Sequence, residues 1–487
     1  MIESKLWDYI IIGGGIAGCV VANRLKRYLP SSRILLIEAG PDVSDNKTML
    51  HFSSLKFVGG QFDWEIDIPS GRALGGGSVI NACGWIRGAK ADYDSWAEIV
   101  NDKRWSYEGQ LRYFKMTERW FSNDPEALNS HGHDGALQVE SPSVNTFPRA
   151  DMNAGINLGL GELNENWSEG ARQIAPLVYP LDGITVQTNT LVQSVVLDGS
   201  RATVILLADG TKISSQEVIV ATGAYRTPQL LMLSGIGPRE ILEKHGIETK
   251  IENPHRLKDP SKGYAIGSGN PIFSQPEFAT GVPLTYVAGT TISRDSLEAA
   301  IAKDEGENAV TPGHDLLKRD WALMESLILY LGSPLVAVDG NHISSSLMEL
   351  KPTSRGTVTI ASKDPKDAPL IDPNYFATEV DKVVWRHSLR TVTELMSGDT
   401  ALGQVVSGET PFPGFEPIRP DSTDEYLNQR VKAHGRLVVD EELRVKRAQG
   451  LLIVDALVFP ISIGAHIQAA VYALAEQAAV IISGKEN

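Results

Sequence analysis

The sequence predicts an α/β fold, α+β overall: a parallel sheet covered on both faces, with an antiparallel unit inserted between its segments. Three observations predict it. The first forty residues read as strand, turn, helix and strand; residues 184–224 alternate as short strands broken by Asp-Gly pairs near 198 and 209; and "GLLIVDALVFP" (450–460) is a buried strand that feeds an apolar helical run.

The elements follow in order. "DYIIIGGG" is isoleucine-rich with little alternation, as a parallel strand buried on both faces must be. "IAGCVVANRLKRYL" has helical apolar spacing, and "RILLIEAG" is the second buried strand. Gly13, Gly15 and Gly18 then fit G-x-G-x-x-G, with Glu38 twenty residues beyond the last of them. Gly13 allows the tight turn, Gly15 lets backbone amides approach a pyrophosphate, and Gly18 lets helix and strand pack closely. Glu38 at the end of the second strand is placed to accept from ribose hydroxyls. The unit is Rossmann-like and dinucleotide-binding; this motif by itself does not separate FAD from NAD.

The strand "EVIVATGA" closes the 184–224 region. Residues 260–430 are richer in proline and loops, with strand-like "HISSSLMELKP" and "GTVTIAS" and a helical "DKVVWRHSLRTVTELM". The alternation predicts a discontinuous nucleotide-binding domain from 1–60, 68–150, 184–262 and 430–487, and a substrate domain from 151–183 and 263–429.

Composition narrows the function. At 487 residues the chain exceeds one ordinary core, and a net charge of -15 argues against nucleic acid or an anionic membrane, which need a clustered basic surface. Only Cys19 and Cys83 are present, outside any metal-ligand spacing, so no disulfide framework is expected. No signal-peptide pattern opens the sequence and no stretch is long and uncharged enough to span a bilayer; a cytoplasmic location is the expectation.

Two further stretches set the class. "GRALGGGSVINACGWIRG" (71–88) is a glycine-dense loop running into an asparagine, and "GAYRTPQLLMLSGIGP" (223–238) is a Thr-Pro helix start that ends in Ser-Gly-Ile-Gly. Both resemble the signature segments of the glucose-methanol-choline (GMC) family of FAD-dependent oxidoreductases. The likeness continues in order through "FDWEI" (62–66), "HGHDGALQV" (131–139) and "SRGTVTIASKDPKDAPLIDPNYF" (354–376) to the closing strand and helix.

The resemblance implies FAD, held through Arg72, Gly76, Ser78, Asn81 and Ala82 of the first signature. It puts the Val192 backbone against adenine, Asp455 and Ala456 near the ribityl chain and ring, and Gln468 at the pyrimidine edge. Trp85 falls where some members place an aromatic near the ring; core packing is the alternative.

In "GAHIQAAVY" the resemblance makes His466 one of two residues facing flavin N5, as in aryl-alcohol-oxidase-like and glucose-oxidase-like members. A helix-cap or core histidine is the other reading. His434, in "VKAHGRLVVD", is the candidate for the second, against a solvent-facing loop histidine; the glycine-rich stretch usual before "VVD" is missing here. "EIDIPS" is also shortened, and Gly77 stands where Ser or Thr is usual. The other eight histidines read as structural, His131 and His133 included, and no metal is expected.

The implied reaction is oxidation of a small-molecule alcohol to a carbonyl by hydride transfer to flavin N5, with oxygen or another electron acceptor. An imidazole, with an ordinary pKa near 6.5, suits the base. Two other functions stay open: a non-redox lyase that keeps FAD, as hydroxynitrile lyases do, and a degenerate flavin-binding scaffold.

Overall fold

The computed structural model describes residues 6–46, 60, 62–64, 70–122, 129–140, 159–162, 164–168, 170–198, 201–237, 239–247, 251–252, 284–329, 344–372, 374–397, 406, 409, 416–432, 450–460 and 462–485. The chain starts with β1 (Trp7–Ile12), α1 (Ile16–Tyr28) and β2 (Ile34–Ile37). Two helices follow, α2 (Lys90–Val100) and α3 (Tyr107–Thr117), then the short β3 (Gly159–Glu162). Next come β4 (Thr185–Gln187), β5 (Val192–Asp198), β6 (Arg201–Leu207), β7 (Lys212–Val220) and α4 (Gly223–Leu233). Later elements include β8 (Leu284–Thr290), α5 (Arg294–Glu305), β9 (Met324–Leu329), β10 (Ser344–Glu349), α6 (Glu379–Ser397), β11 (Leu451–Ile453) and α7 (Gln468–Ser483).

Five strands run parallel in the order β4, β2, β1, β7, β11, with Ile10 opposite both Leu35 and Val218, and Val218 opposite Leu451. Most of their isoleucines, leucines and valines are buried in one apolar core, as an all-parallel arrangement requires. β7 joins the parallel strands to an antiparallel part of the same sheet. Its last residues join β1 and β11, while Lys212 to Ser214 pair antiparallel with β6, which pairs antiparallel with β5.

The second sheet is antiparallel in the order β10, β9, β8, β3. Its strands come from both sides of the β4 to β7 segment, as an inserted unit must. Strand alternation then separates two neighbours in β9. Met324 packs into a core shared with Val380 and Val384 of α6, and Glu349, opposite Met324, accepts from Trp385 Nε1 of α6 at 2.8 Å. Glu325, one residue on, faces the other way.

Helix α7 packs against α1 and α3 and is buried from Gln468 to Val480, so its polar residues need partners. Glu476 receives Arg24 Nε at 2.7 Å, Arg24 Nη2 at 2.6 Å and the Tyr179 hydroxyl at 2.9 Å. A forked guanidinium and a phenol thus satisfy a carboxylate inside an apolar helix. His131 is equally structural: it stacks on Trp120 and lies 2.9 Å from Glu118 Oε1, beside the Arg87 guanidinium. Among the described residues no helix is long and apolar enough to cross a membrane.

Candidate active site

The carboxyl ends of β1, β2, β7 and β11 lie along one edge of the parallel sheet, which is where an open α/β sheet places its ligand cleft. The turn after β1 depends on glycine. Gly13 has φ +101, and a Cβ there would lie 2.4 Å from the Ala221 carbonyl oxygen at the end of β7. A Cβ on Gly18 would come within 2.0 Å of Gly13 O, so α1 packs against the turn it leaves.

The glycine-dense 71–77 loop folds onto that turn. Gly75 N donates to Gly14 O at 2.7 Å, and Gly76, at φ +51, sits where a Cβ would be 2.7 Å from Gly15 Cα. Gly15, in contrast, has nothing nearer than 3.9 Å, and Gly77 and Gly223 have nothing within 4 Å. Gly77 and Gly223 present bare backbone to open space, and Gly15 meets its neighbours only at ordinary contact distance.

Glu38 closes one end of the cleft. Its Oε2 accepts from Gly14 N and its Oε1 from Gly40 N, both at 2.8 Å. Burial pushes its carboxyl up to about 7, against those amides and the Arg72 charge, which pull it down. Val192 begins β5 at the same end, two residues beyond Thr190, whose amide donates to Glu38 O at 2.9 Å. Arg72 is exposed, with its guanidinium over the Trp64 ring.

Residues 78–85 and 466–468 are tied together by side-chain bonds. Asn81 donates to Gln468 Oε1 at 2.9 Å, and Gln468 donates to Gly84 O at 2.6 Å and to Asn166 Oδ1 at 3.1 Å. Arg172 donates to Asn81 Oδ1 at 3.0 Å and to Ser78 O at 3.2 Å. Ser78 is spent internally, donating to Gly75 O at 2.6 Å and accepting from Ala175 N at 3.0 Å. Ala82 is exposed and Ala456 half-buried.

Asp455 accepts from Gly223 N at 2.9 Å, Thr227 Oγ1 at 2.7 Å and Leu457 N at 2.9 Å. Burial raises its pKa while those donors oppose the rise. It therefore stitches β11 to the start of α4, and its place in the cleft is set by backbone rather than by a free carboxylate. Trp85 is placed as core: none of its surface is exposed, and its Nε1 donates to Glu118 Oε2 at 3.0 Å.

His466 lies two residues before α7 rather than within it, 23% exposed, with Nε2 3.0 Å from Glu325 Oε1. The carboxylate comes from a strand of the antiparallel sheet and the imidazole from the segment between β11 and α7. His434 falls outside the described residues. Sequence reasoning missed Glu325, although it left a signal: one carboxylate inside the apolar run "LMESLILYL". It also missed Arg172, which nothing in its local sequence marks.

Comparison with known proteins decides the class. Models of the GMC oxidoreductase family match residues 7–254 and 352–475. The chain is 36% identical to the GMC-type oxidoreductase acuG of Aspergillus aculeatus, covering 98% of this chain and 99% of that protein. The chain belongs to the GMC oxidoreductase family. Oxygen-dependent choline dehydrogenase of Staphylococcus aureus is 28% identical over 99% of this chain and 94% of its own length. Formate oxidase of Aspergillus oryzae shares the fold with a TM-score of 0.83 and 22% identity, each chain covered to 99%.

Like other GMC oxidoreductases, the protein is a FAD-dependent oxidoreductase, and its cleft fits that cofactor. A dinucleotide needs bare backbone beside its pyrophosphate, and Gly15 and Gly77 supply it. It needs no competing anion at the α1 N-terminus, and the first turn of α1 contains no acidic residue and no side-chain cap. Glu38 supplies spare carboxylate lone pairs where a ribose would lie.

Proposed function

We propose that the protein oxidises the CH–OH group of a small-molecule alcohol to a carbonyl, with His466 as the base. The observation that carries this reading is the Glu325–His466 pair, held at 3.0 Å between the antiparallel sheet and the segment before α7. A carboxylate accepts, so in a neutral imidazole the pairing favours the tautomer with its proton on Nε2 and the lone pair on Nδ1. That is the arrangement of a general base: one ring nitrogen oriented by an acid, the other able to take a hydroxyl proton. The carboxylate also stabilises the imidazolium that forms, which a merely structural histidine would not need. His434 is proposed as the second group that holds the hydroxyl.

Bound FAD supplies a ring that accepts the carbon-bound hydrogen as hydride, and oxygen or another acceptor restores it. Gly13, Gly15 and the α1 N-terminus would hold its pyrophosphate, Glu38 its ribose and Val192 the adenine. Gly76, Ala82 and Ala456 would line the remainder, and the bond between Asn81 and Gln468 fixes the position of both side chains at that end. The name of the choline dehydrogenase relative, which specifies an alcohol, supports the donor class.

Anaerobic mixing of the FAD-loaded protein with choline, benzyl alcohol and formate tests the reading. Bleaching of the flavin by an alcohol, slowed about 10² to 10⁴-fold in His466→Ala with FAD retained, is expected. A His466→Ala protein that bleaches at the parent rate would refute the assignment. Turnover with flavin that stays oxidised would favour the lyase instead.

A further inference from the structure

The turn that carries His466 is gripped from helix α2 and from the end of the antiparallel sheet by a buried ion pair that no step above uses. Asp92, in the first turn of α2, exposes none of its surface. Its Oδ2 accepts from Ala89 N at 3.2 Å and from Gly464 N at 2.9 Å, and its Oδ1 is ion-paired with Lys351 Nζ. Lys351 Nζ also donates to Ser462 O at 2.7 Å and lies 4.5 Å from the Trp321 ring centroid. Lys351 follows directly on the antiparallel sheet, where Leu350 N donates to Leu323 O at 2.9 Å. The neighbouring backbone leaves no slack: a Cβ on Gly88, at φ +89, would lie 2.7 Å from Ile463 Cγ2.

We propose that Asp92 and Lys351 are positioning residues for His466: together they fix the 462–464 backbone against helix α2 and the antiparallel sheet and so orient the imidazole. The inference rests on the function proposed above. Two physical arguments carry it. A buried ion pair is a poor way to add stability, because desolvating both charges offsets most of their attraction and apolar residues of equal volume often do as well. Its value here is directional. The two charged groups hold a carbonyl and an amide on either side of Ile463, two to four residues before His466, and Ala465 N donates to Ile463 O at 2.8 Å to carry the constraint onward. Glu325 then orients the ring that the turn delivers. The antiparallel sheet thus holds the base twice, once by backbone and once by ring, and helix α2 holds it once.

The test uses the full FAD-loaded chain and the alcohol the parent oxidises fastest among choline and benzyl alcohol. Lys351→Met removes the donor at nearly constant volume but leaves Asp92 as a lone buried charge and endangers folding. The double variant Asp92→Asn with Lys351→Met removes both charges and keeps the volume. Thermal midpoint, FAD content, the limiting rate of flavin reduction and the half-saturating alcohol concentration are measured for both, beside His466→Ala. Misplacing a catalytic group by about 1 Å costs about 10²-fold. The expected result is a folded double variant with full FAD, an unchanged half-saturating concentration and a limiting rate lowered about 10- to 100-fold. A double variant reducing its flavin at the parent rate overturns the proposal, and so does one that cannot fold or hold FAD, since the pair would then be structural. His466→Ala at the parent rate would instead remove the base itself, so the two failures are distinct.

Discussion

Glu325→Gln isolates the charge of the pair while keeping its shape. The side chain stays the same length, and its amide oxygen can still accept from Nε2, so only the negative charge and the certainty of tautomer are lost. Two unit charges 3.0 Å apart attract by about 5 kcal/mol at an effective dielectric constant of about 20. That figure is a ceiling, since desolvation of the carboxylate and the partial exposure of His466 reduce it. The floor is the difference between a charge-assisted and a neutral hydrogen bond, about 1 to 1.5 kcal/mol. Only the part that grows as the imidazole takes its proton slows the reaction. Between these limits the limiting rate of flavin reduction should fall about 10- to 10³-fold, with FAD content unchanged. Anaerobic stopped-flow reduction with saturating alcohol reads it directly. A Glu325→Gln protein as fast as the parent would mean that the carboxylate neither fixes the tautomer nor shares the imidazolium charge, and the argument from the pair would collapse.

Three other expectations follow from the cleft and its supports. Glu38 is raised from an ordinary 4.5 to about 7, so its contribution to apoprotein stability is full below 4.5 and is lost as pH climbs through 7; Glu38→Gln should flatten that slope in thermal melts. If ribose hydroxyls donate to its ionised form, FAD titrations should show affinity rising with pH up to about 7 in the parent and little change in the variant. Glu118 behaves in the opposite sense: burial would raise its carboxyl, but Arg87, His131 and the Trp85 indole hold it down to about 2. Its stabilisation is present above 4.5 and disappears as pH falls toward 2, and Glu118→Gln should cost about 3–5 kcal/mol in urea unfolding by leaving Arg87 buried without its carboxylate; a loss no larger than that of an exposed Glu→Gln would contradict the burial argument. Gly76→Ala must fit a Cβ 2.7 Å from Gly15 Cα at φ +51, a strain of about 1–3 kcal/mol. It should release FAD about 10- to 100-fold more readily on dilution, and a fully yellow, tightly loaded Gly76→Ala protein would show that the two loops can part.

The local half of this architecture was legible because its signals sit within one or two elements. A tight turn needs glycine at fixed offsets, and a strand covered on both faces needs isoleucine and valine, so β1, α1, β2 and Glu38 could be read from forty residues. The antiparallel β5 to β7 region was legible through its Asp-Gly pairs in the same way. Trp85 was not, because an indole in a glycine-rich segment suits a flavin face and a packed core equally well; only its burial and its bond to Glu118 separate them.

What the sequence determined by itself was the dinucleotide turn with its flanking strands and helix, the antiparallel β5 to β7 region, and a histidine set before the final apolar helix. What tertiary structure alone decided was the company that histidine keeps. Glu325 stands 141 positions away in another sheet, and Asp92 is 372 positions from the amide it holds. Periodicity tells which face of a strand a residue takes, but not which strand of a second sheet will be brought against it. That choice belongs to the packing of whole layers, where the desolvation of each charge is compensated only by a partner that the local chain does not contain.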